Sequence, residues 1–211
     1  MKKIIFIFLL FSISAIYVIA DNNFINAARD GDLDAVKNAI KNGVNLNAKN
    51  NAGDTALIEA SRYDQVEIVK LLIKAGADVN ASNVQNVTAL MTSSAGGYVE
   101  VVKVLIPARA DVHAKDIAGN TALMWASSGG HLEVLQLLIK ARADVHVKSK
   151  RYLTALMVAS RGGHLEVAKL LIKLGVDVNV KMDNGMTALN FAIENGRAEI
   201  VKLLKQAGAR E

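Results

Sequence analysis

The tripeptide Thr-Ala-Leu begins at Thr55, Thr88, Thr121, Thr154 and Thr187, each 33 residues after the one before. No other feature restricts the fold as much, because a fixed step of this length means that one small structural unit is copied along the chain. Other columns keep the step. A small-residue column reads Ala27, Ala60, Ser93, Ala126, Ala159 and Ala192, and a turn column reads Gly31, Asp64, Gly97, Gly130, Gly163 and Gly196. An aliphatic column reads Ala39, Leu72, Leu105, Leu138, Leu171 and Leu204. Six units are expected, at about 21–49, 50–82, 83–115, 116–148, 149–181 and 182–211, forming one repeat domain over residues 21–211.

The unit around Thr121 shows the design. Threonine suits a helix N-cap, since its hydroxyl can accept from an early backbone amide. Ala122 to Ser127 then give a short apolar helix, Gly129-Gly130-His131 breaks it, and Leu132, Val134, Leu135, Leu138 and Ile139 follow at helical spacing. Glu133 and its equivalents Glu67, Glu100, Glu166 and Glu199 fall in the first turn of this second helix, where its dipole favours an anion. Lys70, Lys103, Lys169 and Lys202 stand three residues after four of these acids, on the exposed face. Helices of two or three turns are marginal alone in water, so each must bury its apolar face against a neighbouring copy.

The chain resembles an ankyrin-repeat protein over essentially all of residues 21–211. The family pattern D-x-x-G-x-T-P-L-H is matched by Asp116 to Met124, its G-H-L-E-V by Gly130 to Val134, and its closing G-A-D-V-N by Gly76 to Asn80. Alanine replaces the family proline after every threonine, and Ile58, Met91, Met124, Met157 and Asn190 replace the histidine; both changes suit a helix start. The resemblance implies an all-α solenoid of helix-turn-helix units joined by β-hairpin-like loops. It also implies a non-enzymatic scaffold that binds a protein partner through its concave face and hairpin tips. The first unit carries Asp30, Asp32, Asp34, Lys37, Asn38 and Lys41, and the last has Lys205 and Gln206. These polar ends are expected to act as caps on a soluble, monomeric stack.

Residues 1–20 read as an address. A cationic start at Met1-Lys2-Lys3, an uncharged run from Ile4 to Ala20, and Val18 and Ala20 at the −3 and −1 positions are expected to form a signal peptide cut after Ala20. An uncleaved N-terminal anchor is the alternative. The mature chain is expected in the periplasm or outside the cell, with no membrane attachment after cleavage. Lysine-, asparagine- and isoleucine-rich usage fits a bacterial source. With no cysteine in the chain, disulfides, thiolate metal sites and cysteine nucleophiles are excluded. Losing Lys2 and Lys3 lowers the net charge from +5 to +3, a mild excess that does not imply nucleic acid.

No residue pattern points to catalysis, a cofactor or a metal. His131 and His164 occupy the family's glycine-histidine turn, and His113 and His146 replace Asn80 and Asn179 in equivalent loops. The last two lie one repeat apart, roughly 10 Å, too far to share a zinc whose nitrogen bonds are about 2 Å. The acids recur with the period, as dipole and turn residues do.

What varies between copies marks the expected binding face. Val84, Gln85, Val87, Ile117, Asn120, Lys150, Arg151, Tyr152 and Leu153 occupy hairpin tips, with apolar groups where water favours polar ones. Lys140, Arg142, Lys148, Lys150 and Arg151 place five positive charges around the single acid Asp144. An apolar centre with an arginine-rich border has the composition of an interface hot spot. With Tyr63, Trp125 and Arg161 these tips are the expected protein contacts. The alternatives are an exported inhibitor, immunity or protective factor for a periplasmic enzyme, and a secreted effector directed at a host protein.

Two irregularities bear on stability. Arg109 and Arg142 stand where Gly43, Gly76, Gly175 and Gly208 end the second helix, a left-handed position that suits glycine. Pro107 removes a late helical hydrogen bond nearby. Units three and four are expected to be the softest, with the fastest hydrogen exchange at their junction. Tyr152 replaces a turn glycine, so its hairpin is expected to leave the standard turn.

Overall fold

A computed structural model of the chain describes residues 21–210; the leader, the proposed cut after Ala20 and Glu211 lie outside them. Twelve helices are present among the described residues. Helix α1 runs over 21–30 and pairs with α2 (Leu33–Lys41). The next pairs are α3 (Ala56–Arg62) with α4 (Val66–Ala75), α5 (Ala89–Gly96) with α6 (Val99–Leu105), and α7 (Ala122–Gly129) with α8 (Leu132–Lys140). Then come α9 (Ala155–Gly162) with α10 (Leu165–Lys173), and α11 (Ala188–Glu194) with α12 (Ala198–Gln206). From α3 to α11 the first helices pack in one row, and from α2 to α12 the second helices pack in another. Contact is more extensive along the first row. Small residues allow this approach: Ala60, Ser93, Ala126, Ala159 and Ala192 have no exposed surface.

Each helix start follows from the threonine column. Thr55, Thr88, Thr154 and Thr187 take extended backbone and accept from the amide three residues on; Thr187 and Asn190 complete a reciprocal cap. Thr121 holds the same backbone but its buried hydroxyl has no partner among the described residues. Leucines 57, 90, 123, 156 and 189 of the first helices meet leucines 72, 105, 138, 171 and 204 of the second, all essentially buried. Removing one such side chain costs about 2–5 kcal/mol. On the outer row Glu67–Lys70, Glu100–Lys103 and Glu166–Lys169 are ion-paired at 2.6, 2.9 and 2.7 Å.

Arg109 and Arg142 take the left-handed backbone of the glycines they replace, at φ 68° and 67°. Their turns keep the standard closing bonds, Ala110 N–H to Leu105 and Ala143 N–H to Leu138. Because of Pro107, α6 ends two residues before the equivalent ends of α8 and α10.

Side chains tie the units along two edges. His131 Nε2 donates to the Ala95 carbonyl, and His164 Nε2 to that of Ser128, both at 2.9 Å. A carbonyl only accepts, so Nε2 carries the proton. Each ring lies over the first glycine of its own unit's pair and the last glycine of the one before, where any Cβ would collide with it. Gln65 and Arg197 make the same reach to Arg29 and Arg161. On the other edge Asn80 accepts from Asp111 N–H at 2.7 Å and donates to the Arg109 carbonyl, and Asn179 bonds Arg210 and Gly208 alike. Asn47 accepts from Asp78 N–H. In this column the His113 and His146 side chains make no such bond among the described residues. Two successive joints, between units three and four and between four and five, lack the tie.

Candidate partner-binding site

Four of the five loops before the threonines are shaped by a polar residue five positions earlier; the fifth has Met182 there. Asn50, Asn83 and Asp116 each accept from the amides two and four residues on, at 2.9 to 3.0 Å. Ser149 does the same at 3.3 and 3.1 Å. This corrects the expectation for Tyr152. Its φ is 58°, and the bonds Tyr152 N–H to Ser149 and Ser149 N–H to Leu153 close the same turn as in the other units. The serine hydroxyl and the two backbone bonds hold the turn and force the tyrosine into the left-handed region.

Val84 N–H bonds Ala52, Ile117 N–H bonds Gln85, and Lys150 N–H bonds Ala118, at 3.2, 3.0 and 2.9 Å. Successive tips therefore form a backbone ladder. A Cβ at Gly53 or Gly119 would sit 2.7 or 2.9 Å from the next amide, whereas Asn86, at φ 56°, carries one at the equivalent place and keeps its rung to Ile117. Among the described residues the ladder is not continued from Arg151 to Asp183.

The inner face of the first helices carries Glu59, Thr92, Trp125, Val158 and Phe191 in one column and Arg62, Ala95, Ser128, Arg161 and Glu194 in the next. Trp125, half-buried at the centre, separates two grooves. One, of about 290 Å³, is walled by Arg62, Gln85, Val87, Met91, Thr92 and Trp125. The other, of about 140 Å³, is walled by Asn120, Met124, Trp125, Leu153, Val158 and Arg161. The indole Nε1 is buried and has no hydrogen-bond partner among the described residues.

Of the expected contacts, the structure thus brings Gln85, Val87, Asn120, Trp125, Leu153 and Arg161 around these two grooves. Val84, Ile117 and Tyr152 are exposed at the tips, with Lys150 and Arg151 beside them, and Tyr63 is exposed at the end of α3; none of these six lines a groove. Met91, Thr92, Met124 and Val158 were not expected. They belong to the first helices, whose inward and outward faces cannot be told apart from short apolar runs.

A charged cluster at the edge of the larger groove was also not expected. Asp54 and Glu59 are almost wholly buried, and Arg62 lies 2.9 Å from Asp54 Oδ1 and 3.5 Å from Glu59 Oε1. Asn83 Nδ2 donates to the same Asp54 oxygen at 2.8 Å. Burial pushes the Glu59 carboxyl above its ordinary range; Arg62 opposes this, and the neighbouring Asp54 carboxylate adds to it. The available signal was that Glu59 is the one acid in its column, outside the periodic pattern of the others.

Stacked helix pairs, laddered loops and a grooved inner row define a helical repeat solenoid. The sequence model of a family described as ankyrin repeats (3 copies) matches residues 24–116, 82–149 and 123–210. The chain belongs to the ankyrin-repeat family. Ankyrin repeats are in general protein–protein interaction scaffolds, and the family is typically non-enzymatic. No curated protein matches the chain in sequence. Among the described residues no helix is long and apolar enough to cross a membrane.

Proposed function

We propose that the protein is an exported, non-catalytic scaffold that grips one protein partner over the grooves on either side of Trp125. The observation that carries this reading is the pair of adjoining grooves with a half-buried indole between them and apolar side chains from both tips and helices on their walls. Such a surface is already ordered before the partner arrives, which lowers the cost of association. Aromatic anchors in pockets of this kind supply most of the affinity in protein interfaces. Export rests on the basic start and apolar run of residues 1–20.

The test is affinity capture from envelope and medium fractions with wild type and with Val87→Ser/Trp125→Ala/Leu153→Ser. A stoichiometric partner held by wild type and lost by the variant, with helicity unchanged by circular dichroism, supports the reading. A partner that the variant holds equally well places binding elsewhere.

A further inference from the structure

Charge is distributed unevenly along the inner face. At unit two the charges face one another, with Arg62 close to both Asp54 and Glu59. Units three and four carry no charge in the inner columns or at the tip positions flanking the grooves, where Gln85, Val87, Thr92, Asn120 and Trp125 stand. Unit five carries three exposed cations there, Lys150, Arg151 and Arg161, and none of them is ion-paired among the described residues. Arg197, whose Nε donates to the Arg161 carbonyl, adds a fourth cation alongside. In unit six the same columns turn acidic again, at Asp183 and Glu194.

An unpaired cationic patch beside an apolar groove favours a ligand that is apolar at one end and anionic at the other. The exposed acids Asp183 and Glu194 of unit six bound the patch on one side, so a long polyanion laid along the face would meet repulsion there. A short run of carboxylates would not.

We infer that the partner segment is an acidic peptide stretch: an apolar side chain seats against Trp125, and one or two neighbouring carboxylates lie over unit five, paired with Arg161, Arg151 and Lys150. This rests on the inner face being the binding surface, as proposed above. Arg161 walls the smaller groove, so a carboxylate adjacent to the anchor meets its guanidinium first. The chain direction of the peptide is left free, because side chains rather than backbone define the register.

The test is selection of random 12-residue displayed peptides on the purified protein, followed by affinity measurement with the best synthetic peptide. Enriched peptides are expected to join an aromatic or branched aliphatic residue to Asp or Glu. Their affinity should fall roughly 30-fold on Lys150→Glu/Arg151→Glu/Arg161→Glu, since exposed charge pairs are individually weak but reversal turns each attraction into repulsion. A lysine-substituted peptide should regain affinity for that variant. Enrichment of neutral or basic peptides, or acidic ones indifferent to the triple reversal, overturns the inference. If such peptides still depend on Trp125→Ala, the inner-face reading survives; if they do not, it fails as well. Oligothymidine or phosphatidylglycerol vesicles bound through the three cations, with no peptide enriched, would overturn the inference in favour of a general polyanion site. Absence of any bound probe would overturn it too.

Discussion

Replacing Arg109 and Arg142 by glycine should stabilise the protein although it removes two charged side chains. Both residues hold φ near 67°, where an L side chain costs about 1–2 kcal/mol relative to ordinary helical backbone. Glycine avoids that cost but loses roughly 0.5–1 kcal/mol through the greater freedom of its unfolded chain. The net gain is about 0.5–1 kcal/mol at each site. At the equivalent Gly43, Gly76, Gly175 and Gly208 no atom lies within 4 Å of where a Cβ would be, so tertiary packing offers the arginines no compensating contact at Cβ. The Arg109 carbonyl that accepts from Asn80 belongs to the backbone and is kept by glycine. For a chain of this size the double variant should melt about 4 °C higher by calorimetry. Amide exchange in units three and four should slow in proportion. Arg109→Ala/Arg142→Ala is the control, because alanine loses the charge and keeps the Cβ. The reasoning fails if the alanine pair stabilises as much as the glycine pair, or if the glycine pair lowers the melting temperature.

Three other outcomes follow from the same structure. His113→Asn/His146→Asn should supply the missing ties between units, adding about 1 kcal/mol per site if the side chains bond as Asn80 and Asn179 do; exchange protection at residues 142–144 and 175–177 measured by mass spectrometry checks it. Tyr152→Gly should relieve the left-handed tyrosine and stabilise the fold by about 0.5–1 kcal/mol in calorimetry, and a lower melting temperature would refute this. The Glu59 carboxyl titrates above its ordinary range in the folded chain, so its protonated form is favoured by folding. Its contribution is present below the ordinary glutamate range and is lost as pH rises through the raised folded value. Glu59→Gln should therefore leave stability near pH 4 almost unchanged and raise it at pH 7; a variant less stable than wild type at pH 7 would refute this sign.

The joints deserve comparison with the expectation that units three and four are soft. The left-handed arginines and the short α6 are present as the sequence indicated. The ties add a reason the sequence did not reveal: Asn80 secures the joint between units two and three, whereas His113 and His146 leave the next two without that bond. Substituting histidine for asparagine in the loop column looked like a surface change. Its consequence lies in a bond to a residue about 30 positions away.

The sequence by itself determined the repeating unit. A 33-residue step, a threonine at each helix start and leucines at helical spacing leave a stacked array of helix pairs as the way to bury those leucines, since helices this short cannot stand alone. It also marked Trp125, Leu153 and Arg161, which break the periodic pattern. Only the tertiary structure decided which of the tip residues join Trp125 at a groove and which stand out in water, because that depends on where neighbouring units meet. It likewise decided that Ser149 holds the Tyr152 turn, and that Asp54, Glu59 and Arg62 converge. Local propensity acts within one unit, whereas these features arise from contacts between parts of the chain that only the folded backbone brings together.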